Sequence, residues 1–517
     1  MKGAEVLVKT LLASGVDTVF ANPGTSEMHF VAALDSHPEM HCVLCLFEGG
    51  VTGAADGYAR MTGRPAATLL HLGPGFGNSW ANLHNARKGA SPVVNVVGDH
   101  AGYHLQYDAP LTADLDGVVA SVSHWTRRAA DAGSMAEDTA AAVRASRAKG
   151  GQIATLILPA DSAWTESAAG PVAARPPAPL HRPDAARIAA AAEALKAPGA
   201  VLMLGGPALH GPLAETAGKI AAKTGCRLLS QFFCARIDRG EGAVAIDQMP
   251  YPVEAALAAL GGTRHMVCVG EAPPVAFFAY PGLPSMTTPP EATIDRLCPP
   301  DWDIAWTLEE IARLLDAGAA EPPRLTRLLP DRPEGALDPD KTGRVLARHL
   351  PEGAIVVNEA LTAGPGIWPH MDRAAAHSRV NNTGGSIGQA LPTTIGVATA
   401  CPDRPVFTVS GDGSAMYQLQ SFWTLARETL DATVLIMANR GYRILHDELA
   451  HLGLPPAGKN ASAMFDIANP ALDWVALAAG QGVPGARAGT VAELEAALEQ
   501  AARVEGPFLI EVVLLGG

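Results

Sequence analysis

The chain has 517 residues, of which 48% are hydrophobic and 17% charged, with a formal net charge of −14. At roughly 100–200 residues per domain this predicts three domains with sizeable cores, and it excludes a disordered chain. The sequence carries no basic run or stripe, which argues against a nucleic-acid partner, and no apolar run reaches the roughly 18 residues of a membrane span.

From the amino terminus, Ala4, Leu7, Val8, Leu11 and Leu12 recur at helical spacing and Gly15 follows as a stop. This start is an amphipathic helix rather than a signal peptide, so a cytoplasmic protein is expected. Val19 and Phe20 predict a short strand ending at Asn22-Pro23-Gly24. A second apolar strand is expected over 42–47, ending at Glu48. Cys42 and Cys45 within it read as small buried hydrophobes, since no second pair completes a zinc site. A Gly- and Ala-rich helix follows over 49–62. A third strand, 66–70, ends at His71 and a loop, Gly73-Pro74-Gly75-Phe76-Gly77, and strands at 93–97 and 153–158 continue the rhythm.

Residues 169–184 are Pro-rich and read as a linker. A middle unit has strands at 200–204 and 265–269, and a second Pro- and charge-rich stretch covers 321–340. Further strands are expected at 354–357, 405–410, 432–438 and 508–513. Strands alternating with helices predict an α/β fold of three doubly wound parallel-sheet domains, at 1–170, 184–322 and 341–517. The first and last look alike without a visible sequence repeat. Ligands of such sheets bind at the carboxyl ends of strands, where Glu48, His71, Glu359, Asp412 and Asn439 fall.

Two of these ends carry the strongest signal. The strand before Gly411-Asp412-Gly413-Ser414-Ala415 ends in Gly-Asp-Gly and opens a helix, and the next apolar strand ends in Asn439-Arg440-Gly441-Tyr442. Neighbouring strand ends would bring a carboxylate and an amide oxygen together, hard ligands suited to Mg²⁺. The small residues 413–415 leave helix N–H groups open to a diphosphate. Gly-Asp-Gly followed by Asn after just under thirty residues resembles the cofactor fingerprint of thiamine diphosphate enzymes. The usual Asn-Asn is here Ala438-Asn439.

The resemblance extends to Glu48 and the following Ala55-Asp56-Gly57-Tyr58-Ala59-Arg60, similar to the decarboxylase and acetohydroxyacid synthase group. It implies that Asp412, Asn439 and the Gly441 carbonyl hold Mg²⁺, that Thr362, Gly411, Gly413, Ser414, Ala415 and Tyr442 line the cofactor, and that Glu48 hydrogen-bonds its aminopyrimidine ring. In Asn381-Asn382-Thr383-Gly384-Gly385-Ser386-Ile387-Gly388, it makes Gly385 a carbonyl acceptor for the pyrimidine amine. Ile387, read as lying in a helix start, becomes the wedge that bends the cofactor. The implied units are pyrimidine-binding, central and diphosphate-binding, with the cofactor between subunits of a homodimer or homotetramer. FAD in the middle third has no evident motif.

On the substrate side, Asn22-Pro23-Gly24-Thr25 and Leu70-His71 resemble the benzoylformate decarboxylase branch, which implies that Thr25 holds a 2-oxo acid carboxylate and that His71 moves protons. The branch's second histidine, expected near Phe277-Phe278-Ala279-Tyr280, is missing. An acetolactate synthase large subunit-type transferase is the alternative. Tyr442, Leu445 and His446 are expected on the substrate side, a surface position for His446 being the competing reading. Gly384-x-Ser386-x-Gly388, with Asp412 and His446 in order, also matches a serine-hydrolase elbow. Residues 374–383 are too polar for the buried strand that elbow needs. A non-catalytic cofactor-binding protein is the remaining alternative.

Overall fold

The computed structural model describes residues 1–514, which form three sheets flanked by helices. β1 (Thr18–Ala21), β2 (His41–Leu44), β3 (Ala66–Leu70), β4 (Val93–Asp99), β5 (Trp125–Arg128) and β6 (Ile153–Pro159) form a parallel sheet in the order β2-β1-β3-β4-β6-β5. The middle of the chain supplies β7 (Ala200–Leu204), β8 (Arg227–Ser230), β9 (Arg236–Arg239), β10 (Asp247–Gln248), β11 (His265–Val269) and β12 (Thr293–Cys298). Five of these form a second parallel sheet, β10-β8-β7-β11-β12. The remaining strands are β13 (Ala354–Glu359), β14 (His377–Asn381), β15 (Val406–Gly411), β16 (Ala432–Ala438), β17 (Gly485–Ala488) and β18 (Phe508–Val513). They lie in the order β17-β18-β16-β15-β13-β14, and β9 adds an antiparallel edge beside β14. The α/β expectation holds, except that the third sheet is mixed and takes one strand from the middle third.

The central strands are apolar on both faces. Val93, Val94, Val96 and Val97 of β4 and Val434, Leu435 and Ile436 of β16 are fully buried, as a sheet covered by helices on both sides requires. Counted from its own first strand, the third sheet repeats the strand order of the first, so the likeness of the end units lies in topology. In both, order reverses between the first and third strands. The crevice there receives Asn22-Pro23-Gly24 and His71 in the first unit, and Leu361-Thr362 and Asp412 in the third.

Four local expectations are corrected. β2 stops at Leu44, and Glu48 is the first residue of the helix Glu48–Thr62 rather than a strand end. Cys42 lies on this outermost strand and is exposed, whereas Cys45 is buried. Gly73–Gly77 are not a loop but the opening turns of the helix Leu72–Lys88, which His71 caps. Finally, β14 is a fully buried strand, despite its sequence His377-Ser378-Arg379-Val380-Asn381. Its polar groups find partners, most of them in distant sequence. Ser378 Oγ donates to Asp238, Arg379 reaches Asp372 and Gln248, and the Asn381 amide donates to the Cys234 carbonyl at 3.1 Å.

The first and third units share one apolar core, formed where the helix Glu48–Thr62 crosses the helix Ala390–Ala400. Backbones touch there. A Cβ on Gly57 would lie 2.3 Å from the Thr393 carbonyl oxygen, and one on Gly396 1.8 Å from that of Ala54. One ion pair pins the crossing. Arg60 binds Asp56 through two N–H groups at 2.8 and 2.7 Å, and both side chains are shut off from solvent. Its remaining N–H groups donate across the seam to the Asn381 carbonyl and to Thr383 Oγ1.

Arg60→Met would leave Asp56 buried beside Ser91 without its counter-charge and free the loop after β14. Breaking such a pair costs about 3–5 kcal/mol, so a clear fall in melting temperature is expected by calorimetry. In the second sheet, burial pushes the Glu271 carboxyl, just beyond β11, up from its ordinary 4.5 to about 7. A raised carboxyl stabilises the fold fully below about pH 4.5 and loses that contribution as pH rises through about 7. Glu271→Gln is expected to flatten the decline of melting temperature across this window, and an unaltered pH profile would contradict it.

Candidate active site

One cluster lies in the first unit. The turn Thr25–Glu27 follows β1, and Glu27 points inward, with only 1% of its surface exposed. Its carboxylate accepts the Gly24 N–H at 2.8 Å and the Ser26 hydroxyl at 2.5 Å, and lies 2.9 Å from His71 Nδ1. A carboxylate on Nδ1 orients the ring and leaves Nε2 for other chemistry. Gly24 sits directly on the imidazole: a Cβ there would fall 2.0 Å from Nδ1. Glu48, 7% exposed, accepts a hydrogen bond from the Asn78 amide at 3.0 Å. A Cβ on Gly75 would meet Glu48 Oε1 at 2.9 Å and His71 Cβ at 3.3 Å, so the two side chains flank this one glycine. Thr25 is exposed at the rim.

The second cluster is a cleft in the third unit. Thr362, Gly411, Asp412, Gly413, Ser414, Asn439, Gly441 and Tyr442 line it together. Ala415 is buried in the same turn but is not part of the lining. The helix that Asp412 opens is a single turn, Asp412–Ala415, and two backbone N–H groups, from Gly413 and Arg440, hold the carboxylate at 2.8 and 2.6 Å. Burial raises the Asp412 carboxyl above its usual range, with the Glu511 charge a minor addition. A cation at this carboxylate would offset that cost.

Among the described residues no group of three His, Cys, Asp or Glu side chains is placed to hold a metal alone. One carboxylate, one amide oxygen and one carbonyl instead suit a hard cation that also takes phosphate oxygens. Gly413 gives the cleft its depth, since a Cβ there would strike the Tyr442 ring at 2.6 Å. The donor set and the glycine-opened turn fit a magnesium diphosphate.

Gly385 and Ile387 belong to neither cluster. They lie in the loop between β14 and the helix Ala390–Ala400, not in a helix start. Gly385 has φ +78°, a left-handed conformation that favours glycine, and Phe277 of the middle unit packs on it. Asn85 of the first unit grips the next residue, accepting the Ser386 N–H at 3.2 Å and donating to its carbonyl at 2.8 Å. Ser386 therefore sits inside an eight-residue loop rather than on a tight strand–helix elbow. His446 is exposed and packs edge-on to Phe465, which is the surface reading of that residue.

Sequence reading missed Glu27 and Asn78, the partners of His71 and Glu48. The only signal for Glu27 was its place two residues after Thr25. Backbone strain also marks the site. Leu72 after His71, Leu361 before Thr362 and Arg440 between Asn439 and Gly441 all have positive φ, at 49°, 44° and 60°. Such outliers in non-glycine residues gather at functional sites.

Residues 1–119 match the N-terminal, and residues 367–512 the C-terminal, TPP binding domain of the thiamine pyrophosphate enzymes. A Mycobacterium tuberculosis protein, provisionally named acetolactate synthase large subunit IlvX, is 45% identical over 520 residues, 99% of each chain. Benzoylformate decarboxylase of Pseudomonas aeruginosa is 29% identical over 532 residues, 96% of each. Among solved structures, a thiamine diphosphate-dependent 4-hydroxybenzoylformate decarboxylase of Rhodococcus jostii superimposes with a TM-score of 0.85 at 25% identity, covering 99% of both chains. With a glycine-opened cleft and an acid–histidine pair at matching crevices of two like sheets, the chain belongs to the thiamine pyrophosphate enzymes and is a thiamine diphosphate-dependent enzyme.

Proposed function

We propose that the chain is a Mg²⁺-assisted 2-oxo acid decarboxylase and carboligase of the benzoylformate decarboxylase kind. The observation that carries this reading is His71, held by buried Glu27 and set beside Glu48 across Gly75. A decarboxylase needs a proton carrier next to the acid that activates its cofactor. Thiamine diphosphate, when bound, supplies a nucleophilic thiazolium carbon and an electron sink for the bond to the departing carboxylate.

The chain's own residues do the rest. Asp412, Asn439 and the Gly441 carbonyl would hold Mg²⁺, and the N–H groups of the 411–415 turn, with Thr362, would hold the diphosphate. Glu48 would share a proton with the aminopyrimidine ring, its burial keeping water from competing for that proton. The Gly385 carbonyl would accept the pyrimidine amine, and Ile387 would pack against the cofactor. Asn22, Pro23 and Gly24 shape the pyrimidine side. Thr25 hydrogen-bonds the substrate carboxylate, and His71 delivers a proton from Nε2 after carbon dioxide leaves.

The two clusters occupy separate crevices of one chain, so the first unit of one subunit faces the third unit of another in a homodimer or homotetramer. Among the described residues no helix is long and apolar enough to cross a membrane, in keeping with a cytoplasmic enzyme.

A second reading, an acetolactate synthase-type transferase that joins two 2-oxo acids, is favoured by the full-length 45% relative. The two separate by product. Enzyme with thiamine diphosphate and Mg²⁺, given a panel of aliphatic and aryl 2-oxo acids, is expected to release CO₂ and an aldehyde, read by mass spectrometry. A 2-hydroxy-2-alkyl-3-oxo acid would instead select the transferase, and no CO₂ from any member would overturn both. Glu48→Gln is expected to lower kcat by about 10²–10⁴-fold while the cofactor still binds by calorimetry. Unchanged turnover would remove Glu48 from the mechanism.

A further inference from the structure

The helix Leu72–Lys88 carries a stripe of residues beside Glu48. His71, which caps the helix, Gly75 and Asn78 stand at i, i+4 and i+7, on one face. The missing side chain of Gly75 leaves a gap between the imidazole and the amide. Glu48 lies over that gap, since a Cβ on Gly75 would fall 2.9 Å from Glu48 Oε1 and 3.3 Å from His71 Cβ.

The two oxygens of the Glu48 carboxylate are held differently. Oε2 accepts the Asn78 amide at 3.0 Å, whereas Oε1, over the glycine, accepts no hydrogen bond among the described residues. An ionised carboxylate only accepts, so the amide nitrogen is the atom of Asn78 that faces it. The last torsion of a glutamate is broad and roughly two-fold, and one charge-assisted hydrogen bond fixes the plane of the group. It also decides which oxygen is left for another partner. A neutral amide does this without the ion pair that a lysine or arginine would form.

The helix does not need an asparagine here. Asn78 is exposed in the crevice, and its neighbours Phe76 and Ser79 are fully buried and do the packing. Asparagine also has a lower helix preference than alanine.

We propose that Asn78 is a positioning residue for the reaction: its amide holds Oε2 of Glu48, so that Oε1 is the oxygen that meets the aminopyrimidine ring. This rests on the proposed role of Glu48 as the acid that activates the cofactor, and it adds the residue that aims that acid.

Two variants separate a donor from a spacer. Asn78→Asp keeps the shape but puts a second carboxylate where the amide donates. Asn78→Ala removes the group from a helix position that suits alanine. Both are expected to fold, as read by melting temperature. With thiamine diphosphate, Mg²⁺ and the 2-oxo acid that the parent turns over fastest, each is expected to lower kcat by about tenfold or more, the worth of a charge-assisted hydrogen bond, with little change in KM. A second readout needs no turnover. In calorimetric titrations with Mg²⁺, the variants are expected to bind thiamine diphosphate more weakly than the parent does, and to bind as well as the parent an analogue with C–H in place of ring nitrogen N1′. Parental kcat in either folded variant, or equal weakening toward both ligands, would overturn the proposal. Glu48→Gln keeps the two inferences apart. Parental turnover there sinks the role of Glu48 itself, whereas a loss there beside parental Asn78 variants sinks only the role of Asn78.

Discussion

Backbone-to-backbone contact between the helices Glu48–Thr62 and Ala390–Ala400, locked by the buried Arg60–Asp56 pair, is the constraint on which the rest of the structure depends. Glycines at 53, 57 and 396 let the two helices approach so closely. The crossing fixes two things at once. It sets the first turn of one helix, which carries Glu48, and it sets the loop before the other, which carries Gly385 and Ile387. Arg60 then reaches past the crossing to the Asn381 carbonyl and Thr383. The arginine that neutralises Asp56 is thus also the tether of a loop more than three hundred residues away.

Two like sheets, joined in this way, present like crevices, and evolution has furnished them differently. In the first unit the crevice holds titratable groups: Glu48, His71 and the buried Glu27 behind it. In the third it holds oxygen donors and open N–H groups suited to a cation and a diphosphate. The division follows from local chemistry. Glu48 is held by the Asn78 amide beside His71, whereas the Asp412 carboxylate is steadied by N–H groups from Gly413 and Arg440. The middle unit contributes Phe277, which packs on Gly385, and β9, which extends the third sheet beside β14.

Much of the candidate site was legible because its signals are local. Gly411-Asp412-Gly413 and Asn439 each follow an apolar run that can hardly be anything but a buried strand. The departures arise where structure is settled by partners distant in sequence. β14 looks too polar to be buried until Asp238, Gln248 and Cys234 are seen beside it. Gly73–Gly77 reads as a loop by composition, yet helix packing overrides the low intrinsic preference of glycine. Glu27 passed unnoticed because nothing in a Ser-Glu dipeptide announces a histidine forty-four residues onward.

The sequence by itself determined the α/β class, the core strands and the residues at strand ends that point to thiamine diphosphate, since hydrophobic runs, turn residues and short motifs act over a few residues. Tertiary structure alone decided which of those ends share a crevice, that β9 crosses into the third sheet, and which buried charges are met and which are not. Those outcomes depend on pairing and burial between segments far apart along the chain, where the energy of a charge or a hydrogen bond is set by a neighbour that no local pattern encodes.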